Sequence, residues 1–416
     1  MSGDSIIRTE WQRGFKGTQN IFIRIPQEVE ITHVRIDAHE TIPDNLRENN
    51  TMQLEGLLKK VEPLQLKPFF IPDNPYKSTI SFLPILGVNA HDGFMLGLGV
   101  WNSTFPAPKF EYVLAPMFSF KLVDFVGQGS LGFNFSPQES RFSRVRLSVS
   151  GAHYHTGSFS EINYYKVQPQ LELQLKSASF SSEFKQYMRL RSIFIQENDF
   201  YLISDQGNAV EHYNTDDNWY HEIKYTLKRR NLLYPMQLNV AMQQHESFLK
   251  PTVEYIQKLA FPHYKRGINF RLFAGYLIDL DNSTINDRYN FTLSGTNGSY
   301  DYLYDDIFLA RNTEGLFFSN QVARGNGFFK LPYYSAGITT SDGFLTALNI
   351  TAAVPKLPIA VYADLGMHSG TDATDSQNTL LYNAGMMIQV ADNILEVYFP
   401  LLVSSDFPDI YSGNYT

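Results

Sequence analysis

From Tyr165 to Lys176 the chain reads YKVQPQLELQLK, with a ring or apolar group at every odd position and a polar group at every even one. Successive side chains of a strand point to opposite faces. Tyr165, Val167, Pro169, Leu171, Leu173 and Leu175 therefore form one row, and Lys166, Gln168, Gln170, Glu172, Gln174 and Lys176 the other. At roughly 3.3 Å per residue the run extends about 40 Å, around twice the usual strand of a soluble protein. Tilted by about 45°, it rises roughly 28 Å, close to the hydrocarbon thickness of a bilayer. This spacing predicts a membrane strand, with Tyr165, Val167, Leu171, Leu173 and Leu175 against lipid and the polar row toward a wet lumen.

The same alternation returns along the chain. FEYVLAPMFSF, residues 110–120, puts Tyr112, Leu114, Pro116, Phe118 and Phe120 on one face, with aromatic rings at the ends of the row as in an interfacial girdle. Tyr112, Leu114, Phe118 and Phe120 are accordingly expected to face lipid. SRVRLSVS sets Val145, Leu147 and Val149 opposite Arg144, Arg146 and Ser148, and LGFNF, HEIKYTL, MQLNVAM and TALNITAAV repeat the pattern. No segment of comparable length holds a helical period. Asp92-Gly93 and Asp342-Gly343 stand directly before apolar strands and read as hairpin turns. Residues 196–217 and 281–342 are rich in Asn, Asp, Gly and Tyr and read as long loops, partly folded into a lumen.

These features predict an all-β fold, an antiparallel transmembrane β-barrel of about 14 to 16 strands. The composition agrees, since 32 Phe and 25 Tyr against 3 Trp favour strands and surfaces that meet both oil and water. With no Cys there is neither a disulfide framework nor a thiolate metal site. A formal charge of -8 without a Lys/Arg block excludes an electrostatic footprint for nucleic acid. No apolar run reaches the roughly 18 residues of a helical membrane span. The opening MSGDSIIRTEWQRG has no apolar core of a secretion signal, so an exported chain of this kind would be a fragment or a processed piece. Residues 1–50, with candidate strands IFIRIP and ITHVRID, read as the end of a soluble β-rich domain, residues 51–74 as a linker, and residues 75–416 as the barrel.

Catalytic signatures are sparse. His153 and His155 in GAHYHTGS share one strand face, but two His on a lumen face are more often polar filler than metal ligands. A zincin needs H-E-x-x-H, in which two imidazoles hold zinc and the Glu activates water. His39-Glu40 and His245-Glu246 both lack the second His. Asp301, Asp305 and Asp306 in DYLYDD read as a solvated turn. No catalytic, cofactor-binding or metal-binding residue is expected.

Four stretches carry a resemblance to a family. VRIDAHETIPDNLRENNT, residues 34–51, resembles the end of the soluble part in bacterial alanyl aminopeptidase-like gluzincin metallopeptidases that carry a C-terminal outer-membrane barrel. PILGVNAHDGFMLGLGVWN, residues 84–102, and KFEYVLAPMFS, residues 109–119, are similar to the first barrel strands of those proteins, and EVYFPLLVSSD, residues 396–406, to their penultimate strand. The resemblance implies a Gram-negative outer-membrane location, a monomeric barrel in lipid, and an upstream zinc peptidase domain as partner. Zinc is then expected only in that upstream domain. It also implies a final strand beyond Tyr415-Thr416, without which the barrel would keep an open seam. Three functions fit: an anchor for a metallopeptidase domain, part of a zinc aminopeptidase whose activity lies upstream, or a passive channel.

Overall fold

The computed structural model describes residues 6–11, 20–24, 31–39, 41–42, 47–54, 64–69, 78–102, 108–137, 139–177, 179, 181–205, 208–261, 266–281, 286–294, 298–311, 325–331, 339–370, 379–390 and 395–407. Of the two strands expected before residue 50, the second appears as β1 (His33–Arg35), antiparallel to β2 (Thr51–Gln53). Ile21 to Arg24 is exposed and joins no strand, and the rest of that segment lies outside the described residues. The stretch expected as a linker contributes β2 and also β3 (Leu64–Pro68), which belongs to the barrel sheet.

The barrel runs through β4 (Ser78–Asn89), β5 (Gly93–Trp101), β6 (Phe110–Ser119), β7 (Asp124–Phe135), β8 (Phe142–His155), β9 (Asn163–Leu175), β10 (Phe184–Asp205), β11 (Asn208–Arg229), β12 (Met236–Gln244), β13 (Phe248–Ala260) and β14 (Gly267–Tyr276). The two-residue β15 (Ile278–Asp279) prolongs β14 and pairs with β13, while β16 (Phe291–Thr292) and β17 (Thr340–Ser341) pair with each other, apart from the barrel. The wall resumes with β18 (Phe344–Ala353), β19 (Ile359–His368), β20 (Thr379–Val390) and β21 (Leu395–Val403). Among the described residues the eleven strands β4 to β14 and the four strands β18 to β21 make fifteen, each antiparallel to the one before. Among the described residues no helix is long and apolar enough to cross a membrane.

An odd number has a consequence: the first and fifteenth strands run the same way. They cannot form an antiparallel closing pair. β3 lies between them, parallel to β4 with Leu64 opposite Ser78 and Pro68 opposite Phe82, and the strand order closes on itself through it. Its pairing with β4 covers five of the twelve residues of that strand. In β3 the alternation is Leu66 and Pro68 against Gln65 and Lys67. Leu66 is 71% exposed and Lys67 is buried, so the short strand keeps the facing of the wall.

Register fixes that facing all round. Phe133 stands opposite Leu147, Leu147 opposite Leu171, Leu171 opposite Leu190, Leu190 opposite Ile223, and Ile223 opposite Met242. Paired residues of a ladder share a face, so this is one apolar row running across six strands. Val167, Leu173 and Leu175 lie in parallel rows opposite Gly151, Val145 and Phe142, and Tyr165 lies opposite His153, so the register sets His153 and His155 on the row of Val145 and Leu147 and not on the lumen face expected of them. Tyr112, Leu114 and Phe118 lie opposite Leu131, Gly129 and Phe125. Phe120 follows in the next turn, its ring 5.8 Å from that of Phe94. Eight of the nine residues expected to face lipid lie on the strand face opposite Lys166 and Arg191, whose side chains reach into the interior, and Phe120 lies in a turn.

Two expectations need correction. Residues 196–217 are a ribbon, not a loop. β10 and β11 pair without interruption from Phe184–Arg229 to Asp205–Asn208, whereas β9 leaves β10 after Asn198 and β12 joins β11 only at His221. The outer part therefore projects beyond the rim as two strands, held by cross-strand pairs such as the stacked rings of Tyr201 and His212, 4.9 Å apart. Asp342-Gly343, in turn, joins β17 to β18, which are not partners. It is a corner between interior and wall, in contrast to Asp92-Gly93, which turns β4 into β5 with Gly93 at φ +65°.

Leu173 lies near the end of β9, so the middle of the apolar row is better represented by Leu171. Leu171→Arg is expected to cost roughly 2 to 4 kcal/mol of membrane stability, and Glu172→Arg much less. A refolding titration in lipid checks this, and equal costs would mean that the register is wrong.

Candidate functional site

The interior is filled by the chain between β15 and β18. Phe291, Leu293, Phe329 and Leu331 from this segment are fully buried against Ile193, Phe248, Leu345 and Leu381 of the wall. The wall makes room where needed: a Cβ on Gly366 of β19 would lie 2.4 Å from Leu293 Cδ1. The expectation of a loop folded into the lumen is met, and the segment acts as a plug.

Charges on inward-facing strand positions hold it. Arg191 of β10 donates from Nε and Nη2 to both carboxylate oxygens of Glu222 on β11, at 3.0 and 2.9 Å. Its Nη1 donates to Asp305 of the plug at 2.9 Å, and Lys166 Nζ reaches the same carboxylate at 2.6 Å. DYLYDD is therefore not a solvated turn. Tyr302 and Leu303 are buried, and the Asp301 carboxylate accepts from the backbone N–H groups of Asp305 and Asp306 and lies 3.2 Å from Arg311. Arg288 of the plug forms a two-pronged pair with Glu197 of β10, both bonds at 2.6 Å.

A second group straps residues 325–331. Arg271 donates to Glu254 at 2.6 Å, to Asn349 at 2.9 Å, and to the plug carbonyl of Asn326 at 3.0 Å. Lys330 of the plug meets Asp364 of β19 at 2.7 Å with both side chains buried, and Asn349 Nδ2 donates to the same carboxylate at 2.9 Å. Lys250, fully enclosed, donates to the Tyr289 carbonyl at 2.8 Å and lies 4.5 Å from the centre of the Phe291 ring. Buried charges of this kind persist only when paired and hydrogen-bonded; here wall–wall pairs such as Arg191–Glu222 and Arg271–Glu254 support the bonds to the plug, made by Arg191 and Lys166 to Asp305, Arg271 to Asn326, Asp364 to Lys330 and Lys250 to Tyr289. Beside this network lies a polar cavity of about 370 Å³, lined among others by Arg189, Lys224, Glu254 and Asp306.

Asp301 and Asp305 were visible in DYLYDD only as part of a turn, and the wall charges they and the rest of the plug meet did not stand out in the sequence. Each wall charge lies on the polar row of an apolar strand, as in MRLRS, HEIKY, FLKPT, NFRLF and YADLG. Alternation places them inside but does not say which loop they meet. His245 is buried at the rim, its Nε2 3.2 Å from Asn218 Oδ1 and its Nδ1 accepting from Ser247, and no second His follows Glu246.

No family model and no curated protein matches the chain. Among solved structures it is similar to BamA from Haemophilus ducreyi lacking POTRA domains 1-3, with a TM-score of 0.46 and 10% identity over 79% of this chain and 68% of that one.

Asp305 gives the plug a pH signature. Burial opposes its ionisation, but the charges of Arg191 and Lys166 and their hydrogen bonds prevail and hold it at about 2, below its ordinary 3.8. A carboxyl lowered in this way adds stability above its ordinary value and loses it as pH falls through the folded one. Plug docking should accordingly weaken between about pH 4 and pH 2. Asp305→Asn should loosen it at neutral pH by roughly 1 to 2 kcal/mol. Hydrogen exchange at Tyr302 and Leu303 checks both, and unchanged protection in the variant would contradict the pairing.

Proposed function

We propose that the chain is a bacterial outer-membrane barrel that anchors a soluble domain, and that it does no chemistry of peptide hydrolysis itself. The carrying observation is an apolar outer belt around an interior closed by the chain's own plug. A barrel built to conduct needs a continuous aqueous path, whereas here aromatic and aliphatic groups and paired charges occupy the lumen. Lipid satisfies no backbone polar group, which favours the ring of paired strands with water-facing groups turned inward.

The anchored partner is proposed to be a metallopeptidase of the aminopeptidase type, on the resemblance of residues 34–51, 84–102, 109–119 and 396–406. The short pair β1 and β2 lies on the side of the chain where such a domain would join. Under this reading the purified chain leaves an aminoacyl reporter unhydrolysed with or without added zinc. Turnover by the chain alone would favour a hydrolase.

A second reading, a gated channel, is favoured by the polar cavity beside the plug. Planar bilayers separate the two. The intact chain should give no steady conductance, and replacing residues 286–331 by a short Gly/Ser linker should open a stable pore. Steady conductance from the intact chain would contradict the anchor reading.

A further inference from the structure

At the rim formed by the β4–β5 turn and the ends of β7 and β8, three side chains converge: His153, His155 and Asp124. Their nearest ligand atoms all lie within 4.8 Å of one another. Asp124 Oδ2 is 3.4 Å from His155 Nε2 and 3.6 Å from His153 Nε2. Around zinc, with bonds of about 2.0 to 2.2 Å, the edges of a ligand tetrahedron measure roughly 3.3 to 3.6 Å. The group therefore needs little movement to take an ion.

The other nitrogens of both rings are already committed. His155 Nδ1 lies 2.6 Å from Asp92 Oδ1, and His153 Nδ1 lies 2.9 Å from the backbone carbonyl of Tyr164. A backbone carbonyl and an ionised carboxylate only accept, so each Nδ1 carries the hydrogen and, in the neutral ring, each Nε2 lone pair points away from that bond. This is how metal-bound imidazoles are usually oriented, by a carboxylate or carbonyl behind the ring. Asp92 is itself fixed, with Oδ2 accepting from Asn89 Nδ2 at 2.8 Å. His153 is held by face-to-face stacking on Tyr165, ring centres 4.1 Å apart.

An independent observation marks the centre of the cluster. The side chain of His155 has no exposed surface, yet its Nε2 has no hydrogen-bond partner. A buried ring nitrogen left this way carries an uncompensated desolvation cost unless something binds it. Asp124 is 42% exposed and opens the cluster to water, giving an ion a way in.

We propose that His153, His155 and Asp124 form a site for a divalent transition metal of the zinc type, with Asp92 as the positioning residue behind His155. Two imidazoles and one carboxylate suit zinc, and three protein ligands leave a fourth position for water. This departs from the expectation that the chain holds no metal. The ion would tie the β7 and β8 ends, through Asp92, to the β4–β5 turn. It does not depend on the identity of any anchored domain.

The test uses the full chain, without a polyhistidine tag, folded in detergent or lipid and stripped with chelator. Cobalt should bind stoichiometrically and give the strong visible bands of a tetrahedral site, and zinc should displace it. Asp124→Asn and His153→Gln, both at partly exposed positions, should abolish the bands while leaving the β-spectrum unchanged, and Asp92→Asn should weaken affinity about 10- to 100-fold. The absence of tetrahedral bands in the intact chain overturns the proposal. So does metal retained equally by the intact chain and by Asp124→Asn and His153→Gln, since it would then sit on other residues.

Discussion

A strand in hydrocarbon has to find partners for its backbone groups on both sides, because lipid offers none and each unsatisfied group costs several kcal/mol. That constraint decides how this barrel is built. Fifteen strands that alternate in direction leave β4 and β21 running the same way, so a simple antiparallel closure is not open to them. The five residues of β3 enter parallel to β4 and occupy the gap. Parallel pairing is slightly weaker per residue than antiparallel pairing, and the contact is short.

The interior follows from the same alternation. Every strand that shows an apolar row to the outside delivers a polar row to the inside, and those polar groups have to be satisfied in turn. The plug does this. Asp305 answers Arg191 and Lys166, Lys330 answers Asp364, and backbone carbonyls at Asn326 and Tyr289 answer Arg271 and Lys250. Removing one partner would strand a charge, which is why wall and plug are best regarded as one folding unit. The aromatic cluster around Phe248, Tyr289 and Tyr302 adds apolar packing where the charges end.

Much of this was legible in the sequence and some was not, for physical reasons. Strands such as Tyr165 to Lys176 announce themselves because burial differs on their two faces. The ribbon over residues 196–217 does not, because it extends past the neighbouring strands and no one-sided burial imposes an alternation. β3 is too short for a period to register, and its Leu66 and Lys67 look like any linker. Asp342-Gly343 carries the chemistry of a hairpin turn but serves a corner. His153 and His155 were visible as a pair, whereas Asp124 and Asp92 lie 29 and 61 residues upstream of His153 and join them only through strand register.

The central claim is that one row of each strand meets lipid and the other meets a filled interior. The chain has no native Cys, so single cysteines can be placed along β9 without background labelling. Residues 167–174, carrying a small fluorophore one at a time in liposomes with brominated acyl chains, test it directly. The account predicts strong quenching at 167, 169, 171 and 173 and little at 168, 170, 172 and 174. Equal quenching at both sets, or none at either, would contradict it.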